Sequence, residues 1–247
     1  MTLRLAGLFA DAKHLWLRER TLVLPVSGLF FLLPSLGILL LMVQGAPSLE
    51  SLSDQAALLA FYQKFVEANV VPLAVAYLAV DYGIFALFSL YLHGGGQTLG
   101  QVMAVALRRL FPFLALEVAV SIGFQLGFSL FIVPGLFVFA RTWLAAPAYA
   151  ARPEAGLIEA FKQGWLRSGG VIGLLFLLVV AMVFVAGIGA MAVASIVTGL
   201  IATAAGGGAV PEFLGYLLLS VIGAGVWTAL VILRVAAYRA TEPRQGM

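Results

Sequence analysis

The chain has no cysteine, which excludes disulfides and thiolate metal sites. Its only histidines are His14 and His93, so the usual His- and Cys-based metal constellations are missing as well. Charged residues make up 10% of the 247 positions, where a soluble domain carries about a quarter. No H-E-x-x-H, G-x-S-x-G or Walker A pattern occurs. The glycine runs 94–96 and 206–208 lack the strand–helix context of a phosphate cradle, and His93 beside the first of them reads as an interfacial residue. These absences lead us to expect no enzyme, no catalytic residue, no metal and no cofactor, and nucleic acid is not an expected partner.

What the sequence has instead is long apolar runs. Residues 21–43, 70–92, 111–150, 171–203 and 213–238 are nearly uncharged. A helix crosses a bilayer core of roughly 30 Å with about 20 such residues. The first twenty residues carry Arg4, Asp11, Lys13, Arg18, Glu19 and Arg20 spread along their length, which does not fit a cleavable signal peptide. The run 111–150 is too long for one span and holds Pro134-Gly135 near its middle, so it reads as a hairpin turning there. The run 171–203 fits either one long tilted helix or, the preferred reading, a span followed by an interfacial stretch through Ala204 to Pro211. The expectation is an all-α, polytopic membrane helix bundle forming one domain. Its spans are about 21–43, 70–92, 111–131, 134–150, 171–199 and 213–236.

Charge orients these spans, because Lys and Arg concentrate in cytoplasmic loops. Segments 1–20, 93–110, 151–170 and 234–247 hold twelve of the fourteen basic residues, including Arg152, Arg234, Arg239 and Arg244. The alternate side holds Lys64 with Glu50, Asp54, Glu67 and Glu212, and Arg141 lies inside a span. Both termini are expected to be cytoplasmic.

Three segments resemble one another, each just before a pair of spans. They run from Gly7 to Arg18, from Thr98 to Arg109 and from Gly156 to Arg167. In register, Leu8, Leu99 and Leu157 coincide, as do Ala12, Met103 and Phe161, then Trp16, Leu107 and Trp165, then Arg18, Arg109 and Arg167. Spacings of four residues place the apolar positions on one helical face. The pattern predicts amphipathic interfacial helices at about 3–19, 98–109 and 154–168, and so three parallel repeats of interfacial helix plus transmembrane hairpin. Trp16, Arg18, Arg108, Arg109, Trp165 and Arg167 are the candidates for contact with lipid headgroups.

Ionisable groups at membrane depth are costly and mark candidate sites. Asp81 falls near the middle of the second span, Glu117 in the third and Arg141 in the fourth. Counting about 1.5 Å per residue sets Asp81 level with Arg141, and Glu117 level with Arg234. Glu117, Ser121, Gln125 and Ser129 form a stripe at four-residue spacing, either lining a polar path or holding the bundle together. Gly123 and Gly127 on the same helix form a GxxxG pair suited to close packing. A small-residue seam on the fifth span, including Ala186, Ala190 and Ala194, reads as tight packing within the chain.

From Val133 the sequence reads VPGLFVFARTWLAAPAYAARPEAGLIEAFKQGWLRSGG. Pro134-Gly135 before a span, Arg141 followed by an aromatic, Pro147 near the span's end, and Ala160-Phe161 with Trp165 in the next helix resemble a bacterial membrane-domain family. That family comprises the uncharacterised YciC-type inner-membrane proteins and the membrane part of some glycerophosphodiester phosphodiesterases. The resemblance implies six spans with interfacial helices. The phosphodiesterase activity does not carry over, because two histidines and no soluble segment cannot supply that catalyst. The expectation is a non-enzymatic bacterial inner-membrane protein that engages anionic membrane lipids or a membrane protein partner, in envelope upkeep or in assistance to a complex. The alternative is a transporter or channel for a small solute or lipid, with a polar intramembrane site.

Overall fold

The computed structural model describes residues 4–44, 54–93, 98–204 and 206–242. Glu50, the glycines at 94–96 and Arg244 lie outside the described residues. Among the described residues the chain is all-α, without strands. Six helical stretches are long and apolar enough to span a bilayer: Leu5–Val43, Val70–His93, Leu110–Leu130, Ile132–Ala151, Val171–Ala204 and Ala209–Ala240. The chain is a multi-pass helical membrane protein.

The first stretch corrects an expectation. α1 (Leu5–Ser27) passes through a π-helical turn at Gly28–Leu32 into α2 (Leu33–Gln44), so no separate interfacial helix covers 3–19. Between Leu8 and Leu24 there is no proline or glycine to interrupt the ladder. Pro25 and Pro34 each withdraw a backbone donor, and the widened turn falls between them. α3 (Gln55–Ala68) is capped by Asp54, whose carboxylate accepts from the Ala56 amide at 2.9 Å. α4 (Val70–His93) follows directly after Asn69.

α5 (Leu99–Arg108) opens with a reciprocal Thr98–Gln101 capping box. It is held to α4 by the Tyr82 hydroxyl, which donates to the Met103 carbonyl at 2.8 Å. α6 (Leu110–Leu130) and α7 (Ile132–Thr142) form the expected hairpin, but the chain turns at Phe131 rather than at Pro134-Gly135. Pro134 sits in the first turn of α7, where its missing N–H has no intrahelical partner to lose. Gly135 serves packing instead: a Cβ there would lie 2.8 Å from the Phe128 Cα, and one on Gly127 would lie 3.0 Å from Gly135. Gly127 of the GxxxG pair is therefore the contact point of this hairpin.

α7 breaks at Trp143–Leu144 before α8 (Ala145–Ala151). Pro147 explains the break, since it cannot donate to the Trp143 carbonyl four residues earlier and its ring crowds that oxygen. α8 is almost wholly buried and packs against α9 (Gly156–Arg167). α10 (Val171–Ala204) is one helix of 34 residues, so no interfacial stretch begins near residue 200. The turn to α11 (Ala209–Ala240) instead uses Gly206, Gly207 and Gly208, all with positive φ.

The second and third repeat units pack alike. α5 buries Val102 and Ala106 against α4, and α9 buries Ala160 and Gly164 against α8. In the register set by Leu99 and Leu157 these are equivalent positions. The face expected from Leu99, Met103 and Leu107 is rotated, because Leu107 is 61% exposed. The first unit departs from the pattern through its unbroken α1, which buries Leu8, Ala12 and Leu15.

Candidate functional site

Arg234 on α11 is the hub of the intramembrane charges. One guanidinium nitrogen lies 3.7 Å from a Glu117 carboxylate oxygen on α6, the pairing the depth count anticipated. Its Nε donates to the Trp143 carbonyl at 3.0 Å, the oxygen that Pro147 leaves without an intrahelical donor. Its Cζ also lies 5.2 Å from the centre of the Phe88 ring on α4. Asp81 on α4 faces the same group and is within electrostatic range of both Glu117 and Arg234. Glu117 thus pairs with the guanidinium directly, and Asp81 acts on it through space.

Arg141 does not pair with Asp81. Its guanidinium carbon lies 4.8 Å from the centre of the Trp165 ring on α9 and 5.9 Å from that of Phe137. Counting residues gives the height of a side chain in the bilayer but not the direction it faces around the helix, and Arg141 faces α9. The polar stripe of α6 is corrected too. Ser121, Gln125 and Ser129 are exposed on the outer face of the bundle, and Ser129 donates back to its own helix at Leu126. Only Glu117 turns inward, so the stripe lines no interior path.

The headgroup candidates divide into outward and inward sets. Arg18 is half-exposed and paired with the adjacent Glu19 at 2.9 Å, and Arg108 is exposed. Arg109 is half-buried and lines a small cavity of about 230 Å³ with Ser89, His93 and Glu154. Trp165 meets Phe137 edge-on at 5.7 Å, and Arg167 lies over the Tyr238 ring at 4.5 Å. Several basic residues gather at one end of the bundle. Arg152 approaches Glu242 at 3.7 Å, Arg239 donates to the Tyr91 carbonyl, and Arg18 and Glu19 are within electrostatic range of Tyr91.

A larger site was not anticipated from the sequence. A groove of about 600 Å³ lies between α1, α10 and α11, within the 300–1,000 Å³ range of ligand clefts. Its walls include Leu24, Leu32, Val183, Val221 and Ile232, and its α1 side extends up to Lys13 and Trp16. At its base the Ser27 and Thr228 hydroxyls are hydrogen-bonded to each other at 2.8 Å, beside Gly28 at the start of the π-helical turn. The available signal was the cluster of small residues Ser27-Gly28 and Ala224-Gly225, which keeps facing helix surfaces low. From Phe9 to Leu32 the α1 side spans on the order of 35 Å at 1.5 Å per residue, running from the charged N-terminal segment into the first span.

Comparison of the chain with known protein families, with curated proteins and with solved structures found no match.

Proposed function

We propose that this chain is a non-enzymatic protein of the bacterial inner membrane that holds an anionic lipid in the α1–α10–α11 groove. The observation that carries the reading is the groove itself: apolar along its walls, with Lys13 and Trp16 on its α1 side toward the Phe9 end. Apolar walls suit acyl chains, a tryptophan suits the headgroup region, and a lysine near a membrane surface attracts anionic lipid by about 1 kcal/mol. The gathering of Arg18, Arg152 and Arg239 at one end supports a cytoplasmic location for both termini. The resemblance to the YciC-type family is compatible with this role and adds nothing to its chemistry.

The test is native mass spectrometry of protein extracted gently from its own membrane. The wild type is expected to retain an anionic phospholipid. Gly225→Leu is expected to abolish that adduct without unfolding the protein, because a Cβ at Gly225 meets nothing within 4 Å and the new side chain fills the groove. An unchanged adduct in this variant would refute the groove as the lipid site.

A second reading, transport through a polar site, draws on the excess carboxylate beside Arg234. Asp81→Asn distinguishes the two. On the lipid-holding reading the variant folds and keeps its lipid adduct, since Glu117 still neutralises Arg234. Abolished solute flux in a folded, lipid-retaining Asp81→Asn protein would instead establish transport.

A further inference from the structure

We propose that the junction of α9 and α10 is a phosphate-binding site, with the Arg141 guanidinium as its anchor. The sequence Arg167-Ser168-Gly169-Gly170 breaks the chain between the two helices. Gly170 takes a left-handed conformation (φ 59°) and precedes Val171, so α10 begins without a capping side chain at that position. The amides of a first helical turn point outward and carry partial positive charge, which favours an anion. Here a cation lies against the link that leads into them. A Cβ on Gly169 would lie only 2.8 Å from Nη1 of Arg141. Among the described residues no carboxylate lies within 4 Å of Arg141 to balance this charge.

Unpartnered polar atoms in the same link point the same way. Ser168 is 0% exposed and its hydroxyl has no hydrogen-bond partner, so it caps neither helix. Nε of Arg141 is buried without a partner, and so is Nη1 of the neighbouring Arg167. A buried donor left unmade is costly, and both guanidiniums belong to residues at or against the α9–α10 link. A tetrahedral oxyanion accepts from several of these donors at once. Trp165 beneath the Arg141 guanidinium fixes its plane. The ligand class is a phosphate group, supplied either by a phospholipid headgroup or by a free phosphate. None of these residues lines the α1–α10–α11 groove. The inference draws on the lipid-holding role only for a source of phosphate, and Gly225→Leu leaves it untouched.

The experiment uses the full chain in an uncharged detergent. It is titrated with inorganic phosphate and, separately, with phosphatidylglycerol doped into the micelles, with phosphorus NMR line broadening and the thermal midpoint as readouts. Binding of either probe, weakened at least tenfold by Arg141→Gln, is the expected result. Saturation by phosphatidylglycerol alone identifies a headgroup site, and saturation by inorganic phosphate alone identifies a site for a soluble anion. Gly169→Asp is the second variant, covering the case that Arg141→Gln does not fold. It sets a carboxylate against the movable end of Arg141, and φ at Gly169 lies outside the left-handed region. It is expected to raise the thermal midpoint and to abolish binding of both probes. No binding of either probe to the wild type, or undiminished binding in Gly169→Asp, would overturn the proposal.

Discussion

Arg234→Ala is expected to lower the stability of the folded bundle by about 3–5 kcal/mol, the range for removing one partner of a buried ion pair. The expectation follows from what a single guanidinium holds. It neutralises Glu117 on α6, satisfies the Trp143 carbonyl at the proline-induced break and lies over Phe88 on α4. Truncation leaves a carboxylate and a carbonyl uncompensated where no water replaces the lost donors. Unfolding of the detergent-solubilised protein in increasing dodecyl sulfate measures the loss. Arg234→Lys keeps the charge but not the fork of donors, so it is expected to fall between wild type and alanine. A double-mutant cycle with Glu117→Gln isolates the ion pair from the carbonyl bond. Wild-type stability in Arg234→Ala would mean that the three contacts are incidental to the fold.

The second large effect is expected at Gly164. In most helices Gly→Ala raises stability by close to 1 kcal/mol, through backbone entropy. Here the sign reverses. A Cβ at Gly164 would sit 2.6 Å from the Ala145 nitrogen and 2.7 Å from its Cα, so the obstruction is backbone and cannot rotate away. α9 must lift from α8, and the expected loss lies at or above the upper end of the roughly 1–3 kcal/mol cost of overpacking. Gly189→Ala, on α10 with nothing within 4 Å, is the control and is expected to be neutral or stabilising. Thermal midpoints of the two variants compared with wild type decide the matter. A stabilised Gly164→Ala would mean that α9 does not dock on α8 through this glycine.

The six spans were legible in the sequence because hydropathy and length alone define them. The Glu117–Arg234 pair was legible because both groups lie near the same membrane face, and the long arginine side chain reaches from α11 to α6. The supposed Asp81–Arg141 pair failed for want of azimuth: Arg141 faces α9, while Arg234 occupies the place opposite Asp81. The hairpin turns three residues before Pro134-Gly135 because neither of these residues breaks the chain here. One is a helix starter, and the other is a contact surface. The separate first interfacial helix failed because charge patterning signals where a helix meets headgroups, not where it stops. The groove has no sequence signature because α1 lies far in sequence from the α10–α11 hairpin it packs against, and most of the lining is small or apolar.

The length of the α10–α11 hairpin has a mechanical consequence. At 1.5 Å per residue the 34 residues of α10 reach about 51 Å. Even tilted at 40°, the steep end of the usual range, they project about 39 Å along the membrane normal, against a hydrocarbon thickness near 30 Å. α10 is apolar almost throughout, so the surplus is not readily left in water. The surrounding leaflets must stretch to meet it, and that distortion relaxes wherever the bilayer is already thick. The mismatch cost of this hairpin is therefore lower in thicker regions of a membrane than in thinner ones.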